Sequence, residues 1–279
     1  MNDRSILQPE DYVEPACVLC GDPYGAEPEV KSVPQQRILE KLDDYMSRRD
    51  YAGAERHLLY WLEEARLGHD QRGELMVENE LIGHYRKVSD RARAMDAIRE
   101  ALRLVDELGF DGTLSAGTTY TNAATACSAF GENERALALF EKARAIYEAS
   151  PRTGQQLLGG LYNNMALTCT ALGRYAEAFT LYDQAMDVMA RVPAGVLEQA
   201  ITCLNRANLE EARDGLEAAE GDIFDLVDRA VALLDDAALE HDGYYAFVCE
   251  KCVPTLEYYG FFADAARFKE EAERIYGRA

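Results

Sequence analysis

YNNMALTCTALGRYAEAFTLYDQAMDVM, residues Tyr162 to Met189, is the stretch on which the fold turns. Its small and apolar residues recur three or four positions apart on either side of Gly173, which puts each set on one face of a helix. Gly173 sits between the two sets, where a glycine accepts the left-handed conformation that commonly ends a helix. The segment therefore predicts two antiparallel helices joined by a tight turn.

Working outward, the chain overlays itself at a shift of 42 residues. Tyr120 meets Tyr162, Asn122 meets Asn164, Ala124 meets Ala166 and Cys127 meets Cys169. Gly131 then meets Gly173, Ala136 meets Ala178, Phe140 meets Tyr182 and Ala143 meets Ala185. The same shift backwards reaches Tyr85, Ser89, Ala94, Ile98 and Ala101. A fixed period of this length marks stacked hairpins, each with an apolar face that only its neighbours can bury. A non-repetitive helical bundle is the alternative, but it has no reason to hold such a period.

About six units fit the chain. They run from Pro34 to Gly68, Gly73 to Gly109, Ser115 to Ser150, Gln155 to Val192, from Val196, and from Gly243 to the end. Residues Leu216 to Asp222 loosen the turn of the fifth. Asp111-Gly112, Ser150-Pro151 and Asp242-Gly243 punctuate them. The expectation is an N-terminal extended arm over 1–32 and an all-α, right-handed superhelical solenoid over 33–279.

The quoted segment resembles a tetratricopeptide repeat, with aromatic, small, glycine, alanine, aromatic and alanine in that family's order. Its phrasing is most similar to the longer repeats of kinesin light chains. The resemblance implies a protein- or peptide-binding scaffold whose first helices line a concave groove. Carried onto this chain, it places Asn122, Asn164 and Asn205 at one groove position, available for the backbone of an extended peptide. These asparagines could equally bridge neighbouring helices. Thr121, Thr125, Asn163, Asn208, Ser128 and Thr170 adjoin them. The first units carry Glu40, Asp43 and Glu80 there, with Arg86 and Lys87 beyond. Acids replace the bases of the known carboxylate clamp, so a basic ligand is favoured instead, unless these acids form only a solvated face.

Charge narrows the partners further. With 50 acids against 29 lysines and arginines, a net charge of −21 disfavours nucleic acid and anionic membranes. No apolar stretch suits a signal peptide or a membrane span. Seven cysteines in mostly helical patterns suit reduced thiols and a cytoplasmic location.

Two CxxC pairs, Cys17/Cys20 and Cys249/Cys252, could together supply a structural four-thiolate zinc site, or a redox-responsive switch. Cys249 and Cys252 also fall on packing positions, which is the favoured reading, although Pro254 is expected to kink or begin the helix there and could expose both thiols. No phosphate loop, zincin motif, dinucleotide fingerprint or nucleophile elbow is present, and the four histidines are scattered, so nothing points to an enzyme. Tyr244, Tyr245, Tyr258, Tyr259, Phe261 and Phe262 crowd the last unit. They predict a packed cap or, alternatively, a self-association surface for a homodimer.

Overall fold

The computed structural model describes residues 30–192 and 195–277, and these form twelve helices. They are α1 (Gln35–Ser47), α2 (Tyr51–Leu67), α3 (Gln71–Lys87), α4 (Arg91–Glu107), α5 (Leu114–Ala129) and α6 (Asn133–Ala149). The second half comprises α7 (Gln155–Ala171), α8 (Tyr175–Met189), α9 (Val196–Asp214), α10 (Glu220–Leu234), α11 (Gly243–Tyr258) and α12 (Phe262–Tyr276). Consecutive pairs pack as six hairpins, and each hairpin stacks on the next.

Local chemistry starts and stops these helices. The carboxylates of Asp50, Asp70 and Asp90 accept from the backbone N–H groups of Gly53, Gly73 and Arg93 at 2.8–3.0 Å, capping α2, α3 and α4. Thr113 and Asp242 do the same for α5 and α11. Within hairpins, the turn residue is left-handed. Gly131, Gly173 and Gly260 have φ of +80°, +71° and +84°. The first two hairpins put Arg49 and Ser89 there instead, at φ +57° and +59°.

Alanines set the closeness of packing. Ala54, Ala94, Ala124, Ala136, Ala166, Ala178 and Ala207 are fully buried where helices cross, around large side chains such as Phe140 and Tyr182. First helices pack on the next first helix, α3 on α5, α5 on α7, α7 on α9 and α9 on α11. No comparable packing joins successive second helices among the described residues. The stack therefore curves with its first helices inside.

The core is divided. One apolar cluster spans Leu42 to Val188 with Leu209, and a second holds Leu197 to Ala272, the fifth and sixth hairpins. The junction between them carries charge. Arg206 pairs with Asp183 at 2.6 Å, and the guanidiniums of Arg206 and Arg213 lie 5.5 and 4.7 Å from the Phe179 ring centroid.

One expectation is corrected here. α11 runs unbroken through Pro254, with Cys249 and Cys252 buried. Proline removes one backbone donor, but Val248, Cys249, Cys252, Val253 and Leu256 embed the helix in the second core on both sides of it. The aromatics of this hairpin divide. Tyr245 and Tyr259 are buried, whereas Tyr244, Tyr258 and Phe262 are exposed.

Between the first two hairpins, Glu74 and Glu78 are buried and share Arg66, at 2.8 and 3.0 Å. Burial raises the Glu78 carboxyl to about 7 from 4.5, against the pull of Arg66. With the folded value above the unfolded one, the associated stability is full below about pH 4.5 and is lost as pH rises through 7. Glu78→Gln is expected to stabilise the protein at pH 8 by about 1 to 3 kcal/mol and to match wild type near pH 5, as read by thermal melts. A left-handed serine costs more than a glycine there. Ser89→Gly should therefore raise the melting temperature by about 1 to 3 °C, allowing for glycine's entropy.

Candidate functional site

The inner surface is built from one stripe per first helix. On α7 the stripe is Leu157, Gly160, Asn164, Leu167 and Ala171, spaced three and four apart. Leu157 and Leu167 are 48% and 36% exposed, and nothing stands within 4 Å of a Cβ built on Gly160. On α5 the matching positions are Ser115, Thr118, Asn122, Thr125 and Ala129, and on α3 they are Met76, Glu80, Gly83 and Lys87.

A polar seam runs beside these stripes, where first helices meet. Asn122 donates through Nδ2 to Oδ1 of Asn79 at 3.1 Å, and Asn79 donates to Thr119 Oγ1 at 3.0 Å. Two hairpins on, Asn205 donates to Oδ1 of Asn163 at 3.1 Å, beside Thr202 at 3.3 Å. Ser128 and Thr168 hydroxyls meet at 3.1 Å between them. Asn122 and Asn205 thus bridge adjacent hairpins. Asn164 holds the same position on α7, half-buried, and its amide has no hydrogen-bond partner among the described residues. The acceptor position that Asn79 and Asn163 occupy in the other two pairs is held on α5 by Thr121, which has no amide oxygen and whose hydroxyl donates to Gly117 O at 2.9 Å.

The remaining inner residues are placed as follows. Thr125 bonds to Thr121 O at 2.8 Å, and Asn163 is buried. Asn208 accepts from the Tyr259 hydroxyl at 2.9 Å. Glu40 is exposed and accepts from Gln36 at 2.9 Å. Asp43 is exposed, whereas burial, reinforced by the charge of Asp43, raises the Glu80 carboxyl above its ordinary range.

Asp43 and Glu80 line a cleft of about 400 Å³ where the two ends of the solenoid meet. Leu42, Met46, Arg49, Tyr51, Gly83, His84, Arg86 and Lys87 come from the first two hairpins, and Phe247, Glu250 and Tyr276 from the last. Arg49 pairs with Glu250 at 2.5 Å, 201 positions apart, and lies 5.8 Å from the Tyr276 ring centroid. The closure could not be read from the sequence, because it depends on the rotation accumulated over every hairpin. A weak signal existed in Gly83, an unforced glycine inside a helix.

The five described cysteines occupy packing sites. Cys127, Cys169, Cys203, Cys249 and Cys252 are all buried, and burial lifts the Cys249 and Cys252 thiols to about 11 and about 12. Such thiols stay protonated at neutral pH when no metal is bound, as packed cysteines do. Cys17 and Cys20 lie outside the described residues, among which no group of three potential ligands gathers for a metal. His57 packs inside the first hairpin, bonded to Ile38 O at 3.0 Å. No helix among the described residues is long and apolar enough to cross a membrane. The five described thiols are expected to react with a thiol reagent only as fast as the chain unfolds, measured by mass-resolved labelling across a denaturant series.

No family model and no curated protein matches the chain. Among solved structures, a Podosopora anserina variant described as kinesin light chain nearly identical TPR-like repeats is 17% identical. It covers 75% of this chain and 97% of its own, with a TM-score of 0.51. BtubC (BKLC) from P. vanneervenii is 19% identical over 88% of this chain and 92% of its own, at 0.46. A tetratricopeptide repeat protein from Parabacteroides merdae is 18% identical over 86% and 93%, at 0.40. Taken with the six stacked hairpins, the first of these likenesses shows that the chain has the tetratricopeptide-type solenoid fold.

Proposed function

We propose that this protein is a non-catalytic scaffold that binds a protein or peptide along its inner surface. The observation that carries the reading is the stripe of α7, which the other described residues leave uncovered. There two exposed leucines flank an asparagine amide unpartnered among the described residues, with an open glycine position beside them. Leucines at this exposure offer apolar area, and the amide offers both a donor and an acceptor to a main chain. Asn122 and Asn205 support the surface from behind, by tying each first helix to the one before it. The main-chain contact is therefore assigned to Asn164, and the other two members of the ladder serve mainly to hold its shape.

Acids along the entrance, Glu40, Asp43 and Glu80, favour a ligand with basic character. A second reading, self-association, draws on a different surface. Leu216, Phe224, Tyr258 and Phe262 are 43–68% exposed on the fifth and sixth hairpins.

Display selection of random peptides on the folded protein tests the first reading. Leu167→Glu should weaken the selected peptides by about tenfold or more, and Asn164→Ala by about fivefold, with little change in melting temperature. Asn122→Ala and Asn205→Ala should instead lower the melting temperature by a few degrees, about 1 kcal/mol each. Peptides that bind Leu167→Glu as well as wild type would remove the inner surface as the binding site.

A further inference from the structure

Five departures from ordinary helical-repeat chemistry converge on the cleft between the first and last hairpins. The first is Gly83, inside α3 on the inner stripe, where Thr125 and Leu167 stand in α5 and α7. A Cβ there would meet nothing within 4 Å, so no packing requires the glycine, although it weakens the helix relative to alanine. Its effect is to leave the cleft open. The second is His84, 5% exposed and lining the cleft, whose Nδ1 is buried with no hydrogen-bond partner among the described residues. Such an orphaned polar atom is uncommon in a folded protein.

The third is a pair of cations. Arg86 and Lys87 line the cleft and form no ion pair among the described residues, in a chain with a large excess of acids. The fourth is Arg49, held left-handed where three other hairpins use glycine, with its guanidinium on Glu250 across the seam. The fifth is Phe247, an aromatic ring 46% exposed on the α11 wall. Local rules broken together at one place are the mark of a site.

The charges in the cleft are separated along α3. Glu80, with Asp43 beside it, lies six and seven residues before Arg86 and Lys87. At 1.5 Å per residue that is about 9 to 10 Å along the helix axis. An extended peptide covers the same distance in about three residues. The seam pair Arg49–Glu250 is neutral as a unit and supplies a wall.

We propose that the cleft is the selectivity pocket of the inner surface and takes a dipolar peptide segment. The segment's basic group lies against Asp43 and Glu80. Its acidic group lies against Arg86 and Lys87, about three extended residues away. An apolar side chain between them packs on Phe247. The inference rests on the inner-surface reading above and adds what that surface selects.

The test uses fluorescein-labelled, end-blocked peptides in which lysine and glutamate stand three residues apart around a leucine, in either order. The controls replace lysine, glutamate or both by glutamine. Anisotropy titrations on the full chain should show one dipolar order binding at least about tenfold tighter than every control. Gly83→Phe should abolish that preference, while Gly83→Ala keeps the cleft and melts a few degrees higher. Arg86→Glu combined with Lys87→Glu should transfer the preference to a peptide with two lysines, a gain that a merely misfolded variant would not produce. Dipolar peptides that bind no better than the neutral control, or a charge-reversed variant that keeps the original preference, would overturn the proposal. If Leu167→Glu still weakens display-selected peptides in that case, the inner-surface reading stands without the pocket. If neither variant matters, both fail.

Discussion

The structure depends on how closely two helices can approach within a hairpin, and alanine controls that distance. Ala124 and Ala136 in the third hairpin, and Ala166 and Ala178 in the fourth, are fully buried and add little side-chain bulk, which lets the larger residues around them interdigitate. A hairpin packed this tightly still has an apolar face on each side, and it remains unsatisfied until a neighbour covers it. Stacking follows from that unmet burial. Curvature follows from the contacts between first helices, which draw one side of the stack together while the second helices spread outside.

Where first helices meet, the seam is polar, although most of its surroundings are apolar. Asn79, Thr119 and Asn122 form one station, Ser128 and Thr168 another, and Asn163, Thr202 and Asn205 a third. Apolar contacts tolerate sliding, whereas an amide-to-amide bond accepts few registers. These stations set how the third, fourth and fifth hairpins are each rotated on the one before. Their small rotations add up along six hairpins and bring the first and last within reach of an ion pair. Such a pair, more than half exposed on its arginine side, holds the ends together only weakly. The division of the core between the fourth and fifth hairpins leaves a second, charge-lined junction in the same ring of contacts.

Much of this was legible in the residues. The hairpins could be placed because glycine, alanine and aromatic positions repeat at a fixed period, and each type answers a local need: a left-handed turn, a close crossing, a filled core. The inner position of Asn122, Asn164 and Asn205 could also be found. Their individual roles could not, because an asparagine that bonds to its neighbour and one that faces outward look alike in one dimension. The difference lies with position 121, one residue from the ladder, where a threonine stands in place of the amides of Asn79 and Asn163. Pro254 was misleading for a related reason. Its local preference is to bend or start a helix, and burial on both sides overrides it.

The sequence by itself determined the hairpin, its period, the number of hairpins and the face of each helix that must be buried, because these follow from spacing within a few tens of residues. Tertiary structure alone decided which asparagine is left without a partner among the described residues, where the core divides, and that Arg49 meets Glu250 to close a cleft over Gly83 and His84. Those outcomes depend on rotations summed over the whole stack and on side chains about two hundred positions apart. No local pattern of residues encodes such a sum.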